Sequence, residues 1–146
     1  MSRYYDWPDR LINFLSERDA TPLEWGKSDC TLFAADAVKA MNGSDPAHFF
    51  RGKYNNKKEA FVLLKQFSGG GLEETTEQIA YDLGYPEIPP EFANSGDLAL
   101  IDCENVDPEA TGLTMAILAT PTTVIAQGKS GLVYLHDADI RRTWNI

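Results

Sequence analysis

Every stretch with helical periodicity lies before Tyr85, and every short β-rich run lies after Gly96. Between them stand Pro86, Pro89 and Pro90, each with a fixed φ and no backbone N–H to give to a ladder. A chain ordered in this way cannot alternate strand and helix through a parallel sheet. It puts its helices first and its strands later, which is the α+β pattern: N-terminal helices packed on one face of a small antiparallel sheet formed by the C-terminal half. With 146 residues, no internal repeat and no low-complexity stretch, residues 1–146 are expected to form one domain.

The helical half is punctuated by its own stop signals. Asp6 to Arg18 carries Trp7, Leu11, Phe14 and Leu15 on one stripe, with Pro8 in the first turn. Ser28 or Asp29 caps the next helix, whose stripe is Cys30, Phe33, Ala34, Ala37, Val38 and Met41, ending at Asn42-Gly43. Asp45 to Asn55 reads as an irregular loop. A third helix, Asn56 to Phe67, places Ala60, Phe61, Leu64 and Phe67 on one side, and a fourth runs from Leu72 to Leu83. The strand-like runs are Leu98–Ile101, Leu113–Ala119, Thr122–Ala126 and Leu132–Leu135, and the last two connections are short enough for hairpins, which predicts an antiparallel meander.

Composition narrows the function classes. The formal charge of −9 is spread along the chain, and the one basic cluster, Lys53 to Lys58, holds only three lysines. That balance argues against nucleic acid, whose phosphates are bound by clustered Lys and Arg, and the cluster reads as a solvated loop. No apolar run reaches the ~20 residues of a membrane span, and no signal-peptide pattern is visible, so action in the cytoplasm or in a particle assembled there is expected. The two cysteines and two histidines lack paired ligand spacing, so neither a metal nor another cofactor is expected.

Cys30 is the residue with chemistry to offer. It falls in the first turn of a capped helix, where unpaired backbone N–H groups favour a thiolate, lower its pKa and can hold an oxyanion. Trp25-Gly26 just upstream supplies an aromatic wall and room for close backbone approach. The competing reading is a structural cysteine within the apolar stripe of its helix. Cys103, although preceded by Asp102, lies at a strand end with no helix terminus and reads as structural or incidental.

The string Trp25-Gly26-Lys27-Ser28-Asp29-Cys30-Thr31-Leu32-Phe33 resembles the signature of the NlpC-type cell-wall cysteine peptidases, and Gly96-Asp97-Leu98-Ala99-Leu100 is similar to the motif opening their first core strand. A closer resemblance is to a phage- and prophage-borne family of small tail proteins related to those peptidases. It rests on Phe33-Ala34-Ala35-Asp36-Ala37-Val38, Gly43-Ser44-Asp45-Pro46, Arg51-Gly52-Lys53-Tyr54, Gly131-Leu132-Val133 and Arg142-Thr143-Trp144, and covers nearly the whole chain. The resemblance implies a papain-like core with Cys30 in the nucleophile position and Trp25, Gly26 and Asp29 at the groove. It puts the base position at or near Thr114 and the orienting position near Gln127.

Threonine cannot take a proton from a thiol at neutral pH, so catalysis would lose a general-base contribution of ~10²–10⁴. His48 and His136 are the only histidines left to substitute; Asp29 and Asp36 read as a cap and a solvated helix face. The resemblance therefore implies a degenerate peptidase fold, leaning away from enzyme activity. It would serve as a structural part of a phage tail, at the tip or in assembly, made in the host cytoplasm and carried in the virion. Other tail proteins, hub or tip components, would be its partners, with Asp45 to Asn55 and Tyr85 to Phe92 as contact segments. The alternative is a working peptidoglycan endopeptidase or amidase that uses Cys30 to open the cell wall during DNA entry; a third is a non-catalytic binder of wall peptides.

Overall fold

A computed structural model describes Ser2–Ile146, and the chain forms four helices followed by a six-stranded antiparallel sheet. The helices are α1 (Trp7–Arg18), α2 (Cys30–Asn42), α3 (Lys57–Ser68) and α4 (Leu72–Leu83). Their ends follow local chemistry. The Asp29 carboxylate caps α2 by accepting from the Leu32 N–H, and Asn56 does the same for α3 through the Glu59 N–H. Gly43 and Gly69 take the left-handed turn that closes α2 and α3. Asp6 precedes α1 without a capping bond, because its carboxylate pairs with Arg10 one turn on.

The strands are β1 (Glu87–Ile88), β2 (Leu98–Asp102), β3 (Leu113–Thr120), β4 (Thr123–Gln127), β5 (Leu132–His136) and β6 (Ile140–Trp144), in the order β1-β6-β2-β3-β4-β5. The α+β class and the β2-to-β5 meander stand as expected. Two strands were not expected. Glu87–Ile88 fits between Pro86 and Pro89 because it needs only two residues of ladder, opposite Trp144 and Thr143 at the sheet edge. Strand β6 returns across the molecule to pair with β2 as well, which no periodicity within Ile140–Trp144 could announce.

One sheet face buries Leu98, Leu100, Met115, Ile117 and Trp144 against Leu11, Phe33, Val38 and Met41 of α1 and α2. The opposite face closes over Ala99, Ile101, Ala116, Leu118 and Val124 with Ala93, Val106 and Ile140. Helices α3 and α4 sit beside α2, where Leu32, Phe50, Tyr54 and Leu64 form a further cluster. Asp36, expected on a solvated face, instead accepts from Arg18 and Arg51, tying α1 and the loop before α3 to α2. Among the described residues no helix is long and apolar enough to cross a membrane.

Candidate functional site

The turn leading into α2 is held by Asp29, which is 1% exposed. One carboxylate oxygen accepts from the Leu32 N–H at 3.0 Å; the other accepts from the Gly26 N–H at 2.8 Å and from the Tyr54 hydroxyl at 2.6 Å. Gly26 is required here twice over. Its φ is +84°, and a Cβ would stand 2.2 Å from the Tyr54 carbonyl oxygen. These contacts lock the loop carrying Trp25 to the loop carrying Tyr54 and present Cys30 at the start of the helix. Asp29 and Gly26 thus position the site without lining it.

Cys30 lies in a cleft of about 670 Å³ whose walls include Trp25, Tyr54, Cys103, Thr114 and Gln127. Strand register explains how distant residues meet there. Pairing of β2 with β3 sets Asp102 opposite Leu113, and the Cys103 N–H donates to the Gly112 carbonyl at 2.8 Å. Cys103 is thereby delivered to the start of β3, where Thr114 stands. Gln127 ends β4, and its side-chain N–H₂ donates to the Thr21 and Gly128 carbonyls at 2.8 and 2.9 Å. Those two bonds fix the amide orientation and leave its Oε1, shielded from solvent, without a partner among the described residues.

The electrostatics of Cys30 run opposite to the expectation of a lowered pKa. Burial pushes the thiol up, and the Asp29 carboxylate adds to this; the Thr114 and Thr31 hydroxyls and the Met115 backbone oppose it without cancelling it. The helix end that should favour a thiolate is partly taken up by its own acidic cap. Cys103 is likewise pushed up to about 11, first by burial and then by Cys30. Neither cysteine is in a disulfide, and both residues are half-buried.

Two consequences can be measured together. At neutral pH iodoacetamide should alkylate both cysteines more slowly than a small free thiol, and the rates should go on climbing above about pH 8.5, where those of an ordinary thiol level off. Because the folded-state values are raised, the stability contributed by the protonated thiols is complete below about pH 8.5. It is lost as the pH rises through the folded values, toward 11 for Cys103. Unfolding midpoints followed across that window should fall less steeply for Cys30→Ser/Cys103→Ser than for the parent; equal slopes would count against the assignment.

Of the residues singled out in the sequence, Trp25, Cys30, Thr114 and Gln127 share the cleft. Neither histidine lines it. His48 is exposed in the loop after α2, and His136 is exposed at the end of β5, its Nδ1 2.9 Å from the Thr123 hydroxyl. Sequence reasoning missed Cys103 and Tyr54 as cleft residues. The repeated Asp-Cys pair was a signal for the first; nothing local marks the second. Among the described residues no three metal-ligating side chains converge.

The model of a domain of unknown function, DUF6950, matches residues 2–146. The chain belongs to that family. No match was found among curated protein sequences. Within this DUF6950 chain, the match spans both the helical half and the sheet, and so includes every residue of the cleft.

Proposed function

We propose that this chain is a structural component of a phage tail, at the tip or in its assembly, built on an NlpC-type peptidase fold that no longer performs peptidase chemistry. The observation that carries the loss of activity is the surroundings of Cys30: a threonine hydroxyl and a buried amide share its cleft, and no imidazole does. A thiol with a raised pKa and no base within reach is a poor nucleophile at neutral pH. The tail setting rests on the resemblance of the Trp25–Phe33, Arg51–Tyr54 and Arg142–Trp144 strings to phage-borne tail proteins. In this reading its partners are hub or tip proteins of the same tail, and it is made in the host cytoplasm before entering the virion.

One observation favours the alternative of a working peptidoglycan endopeptidase or amidase. Cys30 remains open to a cleft large enough for a peptide, at the start of a helix. The two readings part on a direct assay. Purified protein incubated with cross-linked peptidoglycan should release no more soluble muropeptide than Cys30→Ala. Release that depends on Cys30 would defeat the degenerate reading. The tail assignment is tested separately by mass spectrometry of purified virions and by tail assembly in a deletion strain; absence from virions together with normal tails would remove it.

A further inference from the structure

All six arginines of this acidic chain are ion-paired, as are Lys27 and Lys129; of the five lysines with no carboxylate partner within 4.0 Å among the described residues, Lys39 lies on α2 and the other four are Lys53, Lys57, Lys58 and Lys65. These four lysines gather on and beside α3. Along that helix Lys57, Phe61 and Lys65 fall at i, i+4 and i+8, and Lys58, Val62 and Lys65 at i, i+4 and i+7, so the two rows are neighbours on one face. Phe61 and Val62 are 52% and 50% exposed between the lysines, and the five residues border one shallow depression. Phe49, 41% exposed, continues the apolar strip beside Lys53. Lys57 and Phe61 also line the Cys30 cleft, so the strip leads into it.

An apolar strip flanked by unpaired cations, on a chain that pairs all six of its arginines, has a defined complement. We propose that the exposed face of α3 is a docking surface for an acidic segment of a partner protein, whose carboxylates pair with Lys57, Lys58 and Lys65 and whose apolar side chains cover Phe61 and Val62. Single-stranded nucleic acid fits less well. Lys53 lies over the Phe49 ring at 4.1 Å and Lys57 over the Phe61 ring at 5.7 Å, so each ring already shares a face with a cation and leaves less room for a base to stack. An anionic bilayer fits less well too. Its broad surface would meet the net charge of −9 around the strip, whereas a narrow segment can lie along the lysine rows of α3 and meet fewer of the surrounding carboxylates.

The test uses the full chain and a short fluorescein-labelled peptide in which glutamate alternates with leucine and phenylalanine. Anisotropy should rise on titration, and the affinity should weaken with added salt. Lys58→Glu/Lys65→Glu and, separately, Phe61→Ser should each lower affinity by about tenfold, while Lys39→Glu on α2 should not; all substituted side chains are exposed, and circular dichroism confirms folding. Equal binding of a peptide with lysine in place of glutamate would overturn the proposal. So would tighter binding of oligo-deoxythymidine or of phosphatidylserine vesicles lost in the same variants, or self-association of the chain through this face in sedimentation, or no binding at low salt. The peptidoglycan assay turns on Cys30, and Lys58 and Lys65 do not line its cleft, so the lysine pair tests the surface independently of the proposed loss of peptidase activity.

Discussion

Replacing Asp29 by alanine should destabilise the chain by about 4 kcal/mol, among the largest single-residue effects in the molecule. The carboxylate is buried and accepts three hydrogen bonds, from the Leu32 and Gly26 N–H groups and the Tyr54 hydroxyl. Alanine removes all three acceptor contacts and strands three donors in a protein interior, and each abandoned donor costs its own desolvation. The cap of α2 goes with them, and capping alone is worth about 1 kcal/mol. Tyr54→Phe provides the calibration. It removes one donor and leaves the carboxylate with two partners, so about 1.5 kcal/mol is expected. Urea unfolding of the two variants decides the matter: an Asp29→Ala loss no larger than that of Tyr54→Phe would mean that this network does not hold the loops together. The same experiment bears on Cys30, because the contacts removed are those that present its sulfur to the cleft.

Most of the helical half is legible because its instructions are local. The caps Asp29 and Asn56 and the glycines after α2 and α3 act within four residues of the ends they define. The β3–β4 and β4–β5 hairpins are legible for the same reason, their turns being short. What is hidden is set by partners far along the chain. Strand β6 finds β2 across some forty residues, and β1 exists only because β6 is there to pair with it. Asp36 looks solvated until Arg18 and Arg51 arrive from two other segments. Phe61 shows the converse. Helical period puts it with Ala60, Leu64 and Phe67, yet α3 has nothing packed along that edge, and the ring stays half exposed.

The candidate site divides along the same line. That Cys30 opens a capped helix is written in the sequence, and that it shares a cleft with Thr114 and Gln127 is a consequence of strand order. Its pKa is another matter. Helix position argues for a lowered value, but the amount of protein packed over the sulfur decides, and burial belongs to tertiary structure. Cys103 reaches the cleft only through the β2–β3 register, which no local reading of Asp102-Cys103 supplies.

The second motif aspartate should behave as the first does. Asp97, also 1% exposed, accepts from the Arg3 guanidinium at 2.7 Å, the Asn94 N–H at 2.8 Å and the Asn145 side-chain amide at 2.9 Å. It therefore ties the segment before α1 and the segment after β6 to the entrance of β2. Gly96 next to it lets them come that close: its φ is +85°, and a Cβ would fall 2.7 Å from Arg3 and 2.8 Å from Trp7. Asp97→Ala should cost about 3 kcal/mol, less than Asp29→Ala because Arg3 still donates to the Ser95 and Ile146 carbonyls when the carboxylate is lost. Arg3→Ala should cost about 1 kcal/mol, since Asp97 keeps its other two donors. Denaturant unfolding gives both values, and hydrogen exchange should show faster opening at β6 and α1 in Asp97→Ala alone. Equal losses in the two variants would mean that the ion pair, rather than the three-way junction, carries the energy. If the junction carries it, the aspartates that follow Gly26 and Gly96 share one physical job, that of holding a glycine turn against a neighbouring segment. That job is independent of whether Cys30 ever meets a base, so these motifs can outlast the chemistry of the cleft between them.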